Sequence, residues 1–305
     1  MDWPEHPVTV RVPATSANLG PGFDALGLAL GLHDVAEARV IPAGLAIEVS
    51  GSGEGTALAH EGHLVIRAMR AAFGALGEQP PGIGLRCVNA IPQGYGLGSS
   101  AGAIVAGLLA ARALCRRGAR LPDAGVLQLA TELEGHPDNV AACLSGGLTI
   151  AWTSAARAQS ARLDPVPGLA PVLCVPAAPL ATAQARQALP RAVPHAEAAA
   201  NAARAALLVA ALTADPGLLM AGTEDFLHQP YRARVMPATA DLIARLRAAG
   251  IPAVVSGAGP AVLALTVAGT HPGPEAVQPV AASAGAAWRI QVLDVDRAGA
   301  TVESC

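Results

Sequence analysis

The chain has 305 residues, 52% of them hydrophobic and only 3% aromatic, so its core must be built from Ala, Val, Leu and Ile. Its net charge is −3 and no basic run exceeds two residues, which argues against nucleic acid as the main partner. All 20 basic residues are Arg, so Schiff-base chemistry and a Walker-type phosphate loop, both of which need a lysine, are excluded.

One large or two medium domains are expected at this length. Cys87, Cys115, Cys143, Cys174 and Cys305 are scattered without CxxC spacing, which reads as buried thiols in a reduced cytosol rather than a metal site. No charged-then-apolar leader opens the chain. Every long apolar run is broken by Arg, Pro or Gly within about 18 residues. The expectation is a soluble cytoplasmic protein without a membrane span.

Residues 8–12 (VTVRV) read as a strand that Pro13 ends. Thr15, Ser16, Asn18, Gly20, Pro21 and Gly22 are turn formers, so residues 14–22 read as loop and 26–32 as a buried strand. Asn18 and Asp24 are polar side chains on that irregular segment. Each fits an Asx-turn as well as a site. Residues 35–50 alternate as one or two strands, and 64–76 have helical spacing closed by Gly77.

Residues 82–91 form an apolar strand leading into PQGYGLGSSAG, 92–102, the stretch around which the chain is organised. Gly94, Gly96 and Gly98 allow positive φ and close approach of backbone N–H groups to a ligand. Ser99 and Ser100 stand where a helix N-cap is expected, ahead of a buried helix over 101–116. Backbone donors and the positive helix end make a phosphate cradle.

A helix over 124–133 precedes EGHPDNV, 134–140, where Pro137 suits a first helical position and Asp138 and Asn139 fill the first turn. Either Glu132 or Glu134, just before it, could meet a metal held by nucleotide phosphates. Residues 148–152 are a strand, and the polar Ala-, Arg- and Pro-rich 153–168 reads as a domain junction. Strands follow at 171–175, 251–255, 261–267 and 288–295, with helices at 197–211, apolar and therefore buried, and at 239–249. Thr182 and Arg186 share one helical face at i, i+4; His228 and Arg232 repeat that spacing.

Several segments together resemble the GHMP kinases. PQGYGLGSSAG resembles their phosphate loop, and VVSGAGPAV (254–262) their C-terminal glycine motif. PATSANLGPGFDALGLAL (13–30), EGHPDNV, TAQARQALP (182–190) and HQPYR (228–232) are similar to segments of the homoserine kinase branch in particular. Six segments in order span nearly the whole chain.

The resemblance implies an α+β, two-domain fold. A ribosomal S5 domain 2-like ATP-binding domain would span 1–155 and a ferredoxin-like substrate domain 156–305. It implies ATP phosphates over Pro92, Gly94, Gly96, Leu97, Gly98, Ser99, Ser100 and Ala101. Mg2+ would be held by Ser100 and Glu132, with Glu134 as the alternative. The homoserine pocket would draw on Asn18, Asp24, His136, Asn139, Thr182, Arg186, Arg232 and Gly259. Ser100, Glu132 and Asn139 would carry the chemistry, phosphorylation of homoserine in threonine biosynthesis. Asp138 matches the base position of mevalonate kinase, but the homoserine kinase pattern implies no side-chain base there. Tyr95 departs from the polar or basic residue common at that point. Homodimers are frequent in the family. The rival readings are another small-alcohol kinase and a nucleotide-binding regulator without turnover.

Overall fold

The computed structural model describes residues 3–4, 6–55, 58–269 and 272–304. The first sheet is built from β1 (Val8–Asn18), β2 (Gly22–Ile41), β3 (Gly44–Gly51), β4 (Gly82–Asn89), β5 (Leu148–Ser154) and β6 (Arg157–Leu163). Helices α1 (Leu64–Leu76), α2 (Ser99–Leu114), α3 (Asp123–Glu134) and α4 (Asp138–Ser145) accompany it. The second sheet holds β7 (Leu169–Pro176), β8 (Ala253–Val255), β9 (Val262–Val267) and β10 (Trp288–Val292). Between β7 and β8 run α5 (Thr182–Gln187), α6 (His195–Thr213), α7 (Leu219–Gly222), α8 (Gln229–Arg232) and α9 (Pro237–Ala248). Helix α10 (Val277–Ala282) precedes β10, and β11 (Thr301–Ser304) closes the chain.

The order β10-β7-β9-β8 is that of a ferredoxin-like βαββαβ unit, all antiparallel. The first sheet runs β11-β1-β2-β4-β3, with β5 and β6 branching from β2. On its edge away from β1, strand β2 serves two partners: Leu26–Leu28 pairs with β5, and Val35–Ile41 with β4. The division expected at residue 155/156 falls inside the β5–β6 hairpin. Residues 157–163, read as junction, are an edge strand of the first sheet.

Strand β1 runs through Pro13 to Asn18, contrary to expectation. The β1–β2 register shifts between Pro13 and Ala14. A proline is tolerated at such a bulge because no ladder N–H is required of it. The turn formers that follow are held as strand by pairing and burial, with Ala14 and Ala17 at 0% exposure.

Helix α1 shows how local rules reach the core. Val65, Ile66, Met69, Phe73 and Leu76 repeat at helical spacing and face the sheet. Gly77 ends the helix at φ 75°, with Gly77 N bonded to Gly74 O and Glu78 N to Phe73 O. Helix α2 is apolar around most of its surface and is buried between α1 and the sheet. Helix α6 is not the buried helix expected: only Asn201, Leu208, Ala211 and Leu212 are buried. Alanine raises hydropathy but carries too little side chain to demand burial.

One hydrophobic cluster joins the two domains, with Leu28, Leu97 and Leu148 packed beside Leu173, Leu212 and Leu263. The walls of the cleft are therefore fixed relative to each other by a shared core. Cys87, Cys115, Cys143 and Cys174 are buried free thiols, and burial pushes those of Cys87 and Cys174 up to about 12. Cys305 lies outside the described residues. Among the described residues no helix is long and apolar enough to cross a membrane.

Candidate active site

The glycine loop joins β4 to α2 and lies against the 256–260 turn of the second domain. Gly94, Gly96 and Gly98 have φ of 80°, 74° and 68°. At two of them the need for glycine is protein packing. A Cβ on Gly96 would land on the Ser256 carbonyl, and one on Gly98 on the Thr15 hydroxyl. Ser256 Oγ sits 2.8 Å from Gly96 O and 2.9 Å from Ser16 Oγ, clamping β1, the loop and the turn together. Gly98 is the N-cap of α2, so Ser99 and Ser100 are its first two helical residues rather than its caps. The amides of that first turn have no intrahelical acceptor and open toward the cleft.

Ser100 Oγ donates to Glu134 Oε2 at 2.6 Å. Glu132 does not reach the site: it is exposed and accepts from Gln128 Nε2 at 2.7 Å. Two residues on one helix point about 200° apart, so only one of the pair can face Ser100. The residue that does so is Glu134, at the C-terminal end of α3.

Helix α4 begins one residue later than expected, with Pro137 as its N-cap. Asp138, 1% exposed, accepts on Oδ1 from Asn139 N (2.8 Å) and from His136 Nδ1 (2.7 Å). The hydrogen bond that His136 donates to Asp138 raises the His136 pKa, against the opposing effect of burial; the charges of Asp138, Glu134 and Asp24 add to it. Asn139 Oδ1 accepts from Thr15 Oγ1 at 2.7 Å. That leaves Nδ2 of Asn139 without a protein partner among the described residues.

Asn18, Leu19 and Asp24 have positive φ, at 67°, 50° and 52°. Asn and Asp tolerate this conformation, whereas Leu19 is held in it by complete burial. Both ends of the Asn18 amide bond the protein: Oδ1 accepts from Asp24 N (2.9 Å) and Nδ2 donates to Gly257 O (2.8 Å). It shapes the loop that presents Asp24. Arg186, on α5 with Thr182, forks onto Asp24 at 3.1 and 3.3 Å. Phe23 lies beneath, 5.9 Å from Arg186 Cζ and 5.5 Å from Arg232 Cζ. Arg232 is only 2% exposed. Phe23, Thr15 and Glu134 thus join a site whose sequence reading had passed over the first two.

A cavity of about 120 Å³ unites these groups, from Gly94–Ser100 on one wall to Asp24, His136, Asn139, Thr182, Arg186 and Arg232 on the other. Gly257 and Ala258 line it; Gly259 does not, being backed against Met236. Ala101 and Leu97 are buried beneath the loop, though Leu97 contributes to the wall. A second cavity of about 380 Å³, with Ala36, His63, Leu64, Cys87 and Ala103 among its walls, meets the first at Gly94, Ser99 and Ser100. The start of α2 therefore stands at the junction of a larger, mostly apolar chamber and a small, charged one. A nucleotide laid with its base in the larger chamber would bring its phosphates to that junction.

The GHMP kinases N terminal domain profile matches residues 63–147, and the GHMP kinases C terminal profile matches residues 196–289. The homoserine kinase of Streptomyces coelicolor is 55% identical over 97% of this chain and 94% of its own length. The chain belongs to the GHMP kinase family, in its homoserine kinase branch. The homoserine kinase of Clavibacter michiganensis subsp. michiganensis is 48% identical over 97% of this chain and 94% of its own. Among solved structures, homoserine kinase from Cytophaga hutchinsonii superposes with a TM-score of 0.86 at 26% identity, covering 99% of both chains. L. major mevalonate kinase shares the fold, with a TM-score of 0.67 at 16% identity over 97% of this chain and 96% of that one.

The chemistry of the donor set fits Mg2+. Among the described residues no three His, Cys, Asp or Glu side chains group as a metal cage. The Ser100 hydroxyl and Glu134 carboxylate are two hard oxygen donors at the start of α2. Mg2+ is commonly held that way, by one or two protein oxygens with phosphate and water completing the shell.

Proposed function

We infer that this chain transfers the γ-phosphoryl group of ATP to the side-chain hydroxyl of L-homoserine, giving O-phospho-L-homoserine. The observation that carries the reading is one small cavity holding Asp24, Arg186 and Arg232 against the start of α2. Homoserine is a zwitterion with a free hydroxyl. Asp24 suits its ammonium group, and the two guanidinium groups suit its carboxylate. Asp24 and Arg186 bond to each other. An amino acid would replace that one ion pair by two, ammonium on Asp24 and carboxylate on arginine. A neutral sugar or a carboxylate without an amine would satisfy only part of the set.

With the amino-acid end so held, the hydroxyl extends toward Asn139 and the first turn of α2. Asn139, oriented by Thr15, has Nδ2 available to hold the hydroxyl oxygen. That oxygen attacks the γ-phosphorus in line as the bond to the β,γ-bridging oxygen breaks. The hydroxyl proton leaves to a phosphate oxygen or to water. Asp138 is committed on Oδ1 to His136 and Asn139 N, which favours a supporting role over that of a base. The helix amides neutralise charge on the transferring group, so positioning and electrostatics supply most of the rate. Ser100 and Glu134 would hold Mg2+, which would supply positive charge to the phosphates.

The deciding experiment incubates the purified protein with ATP and, in turn, homoserine, mevalonate, galactose and serine, and measures ADP. ADP release that depends on homoserine is the expected result. Release with mevalonate or galactose and none with homoserine would overturn the reading.

A further inference from the structure

His228 does not itself line the cavity but sits directly behind Arg232, which does. It is completely buried, and it lies between the two recognition elements of the pocket. Its Nδ1 faces Arg232 Nη1 at 3.1 Å, and its Nε2 faces the Gly20 carbonyl at 2.8 Å. A guanidinium has donors only, so Nδ1 must be the acceptor of that contact. The single ring proton is therefore on Nε2, pointing at Gly20 O. The ring stacks 5.3 Å from Phe23, tilted by 32°, so it is also held in plane. Asp225 does not compete strongly for it. Its Oδ2 is 3.3 Å from Nε2 but accepts from Gln229 N at 2.6 Å, and its Oδ1 accepts from Leu227 N at 2.8 Å. Burial pushes the ring well below the usual histidine range, more than Asp225 raises it.

The consequence falls on Arg232. Its Nε donates to Ala185 O at 3.3 Å, and its Nη1 to His228 Nδ1 and, at 3.2 Å, to Gly257 O. Nη2 has no acceptor among the described residues, on a side chain that lines the small cavity. Three of the five guanidinium N–H groups are thus assigned, and the two on Nη2 are left for a ligand.

We propose that His228 is a positioning residue for amino-acid recognition: as the neutral Nε2–H tautomer it joins the Gly20 carbonyl to Arg232 and aims Nη2 of Arg232 at the substrate carboxylate. Gly20 lies in the β1–β2 turn, four residues before Asp24 at the start of β2. One rigid ring therefore sets the distance between the ammonium-binding and carboxylate-binding ends of the pocket. The proposal rests on the reading of Arg232 as a carboxylate ligand. It differs from a packing role because the two ring nitrogens have different duties.

Two substitutions separate those duties. In His228→Asn, Oδ1 can stand where Nδ1 stands and still accept from Arg232. In His228→Gln the amide reaches the Gly20 end and the Arg232 acceptor is lost. The Gln variant is expected to raise KM for homoserine about tenfold or more and to leave KM for ATP within about twofold. The Asn variant recovers most of that loss. Equal impairment in both, no change in the Gln variant, or a matching rise in KM for ATP would overturn the proposal. Arg232→Lys is measured alongside. If it raises KM for homoserine while His228→Gln does not, Arg232 keeps its role and the positioning proposal alone falls. If it leaves KM for homoserine unchanged, the reading of Arg232 fails, and the proposal with it. Imidazole 15N NMR on the wild type tests the tautomer without any variant: an Nε2–H ring with an unprotonated Nδ1 is expected, and a proton on Nδ1 refutes the proposal even if neither variant folds.

Discussion

The assignment of Glu134 rather than Glu132 is open to a direct contrast. Glu134→Gln keeps the size of the side chain and an oxygen that can accept from Ser100 Oγ, now 2.6 Å away, but removes the charge. A unit charge about 4 Å from a cation is worth about 4 kcal/mol at an effective dielectric near 20. That is about three decades of rate at about 1.4 kcal/mol per decade. Glu134 is only half-buried, so water screens part of it, and the expected loss in kcat is about 10²- to 10³-fold. Glu132→Gln changes an exposed residue bonded to Gln128 and is expected to stay within about threefold of wild type. ADP release would be followed by a coupled assay at saturating ATP and homoserine with Mg2+ varied, and folding checked by thermal unfolding. The Glu134 variant should also need more Mg2+ for half-maximal rate. Full activity in Glu134→Gln, with the loss appearing in Glu132→Gln, would refute the reasoning.

Asp138→Asn keeps an acceptor for Asn139 N, and steady-state assays should find substantial activity with no new ionisation near neutral pH. A fall of about four decades or more with intact folding would point to base catalysis. Arg186→Lys breaks a planar fork that an ammonium cannot reproduce. It is expected to raise KM for homoserine about tenfold or more, leave KM for ATP nearly unchanged, and cost 3-aminopropan-1-ol, which has no carboxylate, little. The His136 pKa is raised in the folded state, chiefly by its hydrogen bond to Asp138, so its stabilisation is complete below the unfolded value of about 6.5 and fades as pH rises through the folded value. The unfolding free-energy difference between wild type and His136→Gln should accordingly shrink between pH 6 and 9 in urea titrations.

The site was legible where its signals are local. Gly77 marks the end of α1 and the i, i+4 spacing places Thr182 and Arg186 on one face, because both follow from helix geometry alone. The glycine loop was legible as a tight, positive-φ turn leading into a helix, but Gly96 and Gly98 owe their identity to Ser256 and Thr15, which approach from distant segments. The choice between Glu132 and Glu134 was invisible because it depends on which side of α3 faces α2. The Asp24–Arg186 pair spans 162 positions, so neither residue shows an acidic or basic neighbour in sequence. Pro13 was misread because the bulge that accommodates it is a property of the β1–β2 register, not of the proline. Gly259 was read into the pocket from its motif, whereas the turn presents Gly257 and Ala258 and turns Gly259 toward Met236.

Strand β11 returns from the far end of the chain to pair with β1, Thr301 opposite Arg11 and Val302 opposite Val10. Such a contact has the largest loop-closure cost in the molecule, and high contact order slows folding. During synthesis the first strand would wait beside an unfilled edge until the last residues had cleared the ribosome. The first sheet is thus sewn shut by a thread that runs through the whole second domain, and a gene fragment ending at the second sheet would leave the first without its closing edge.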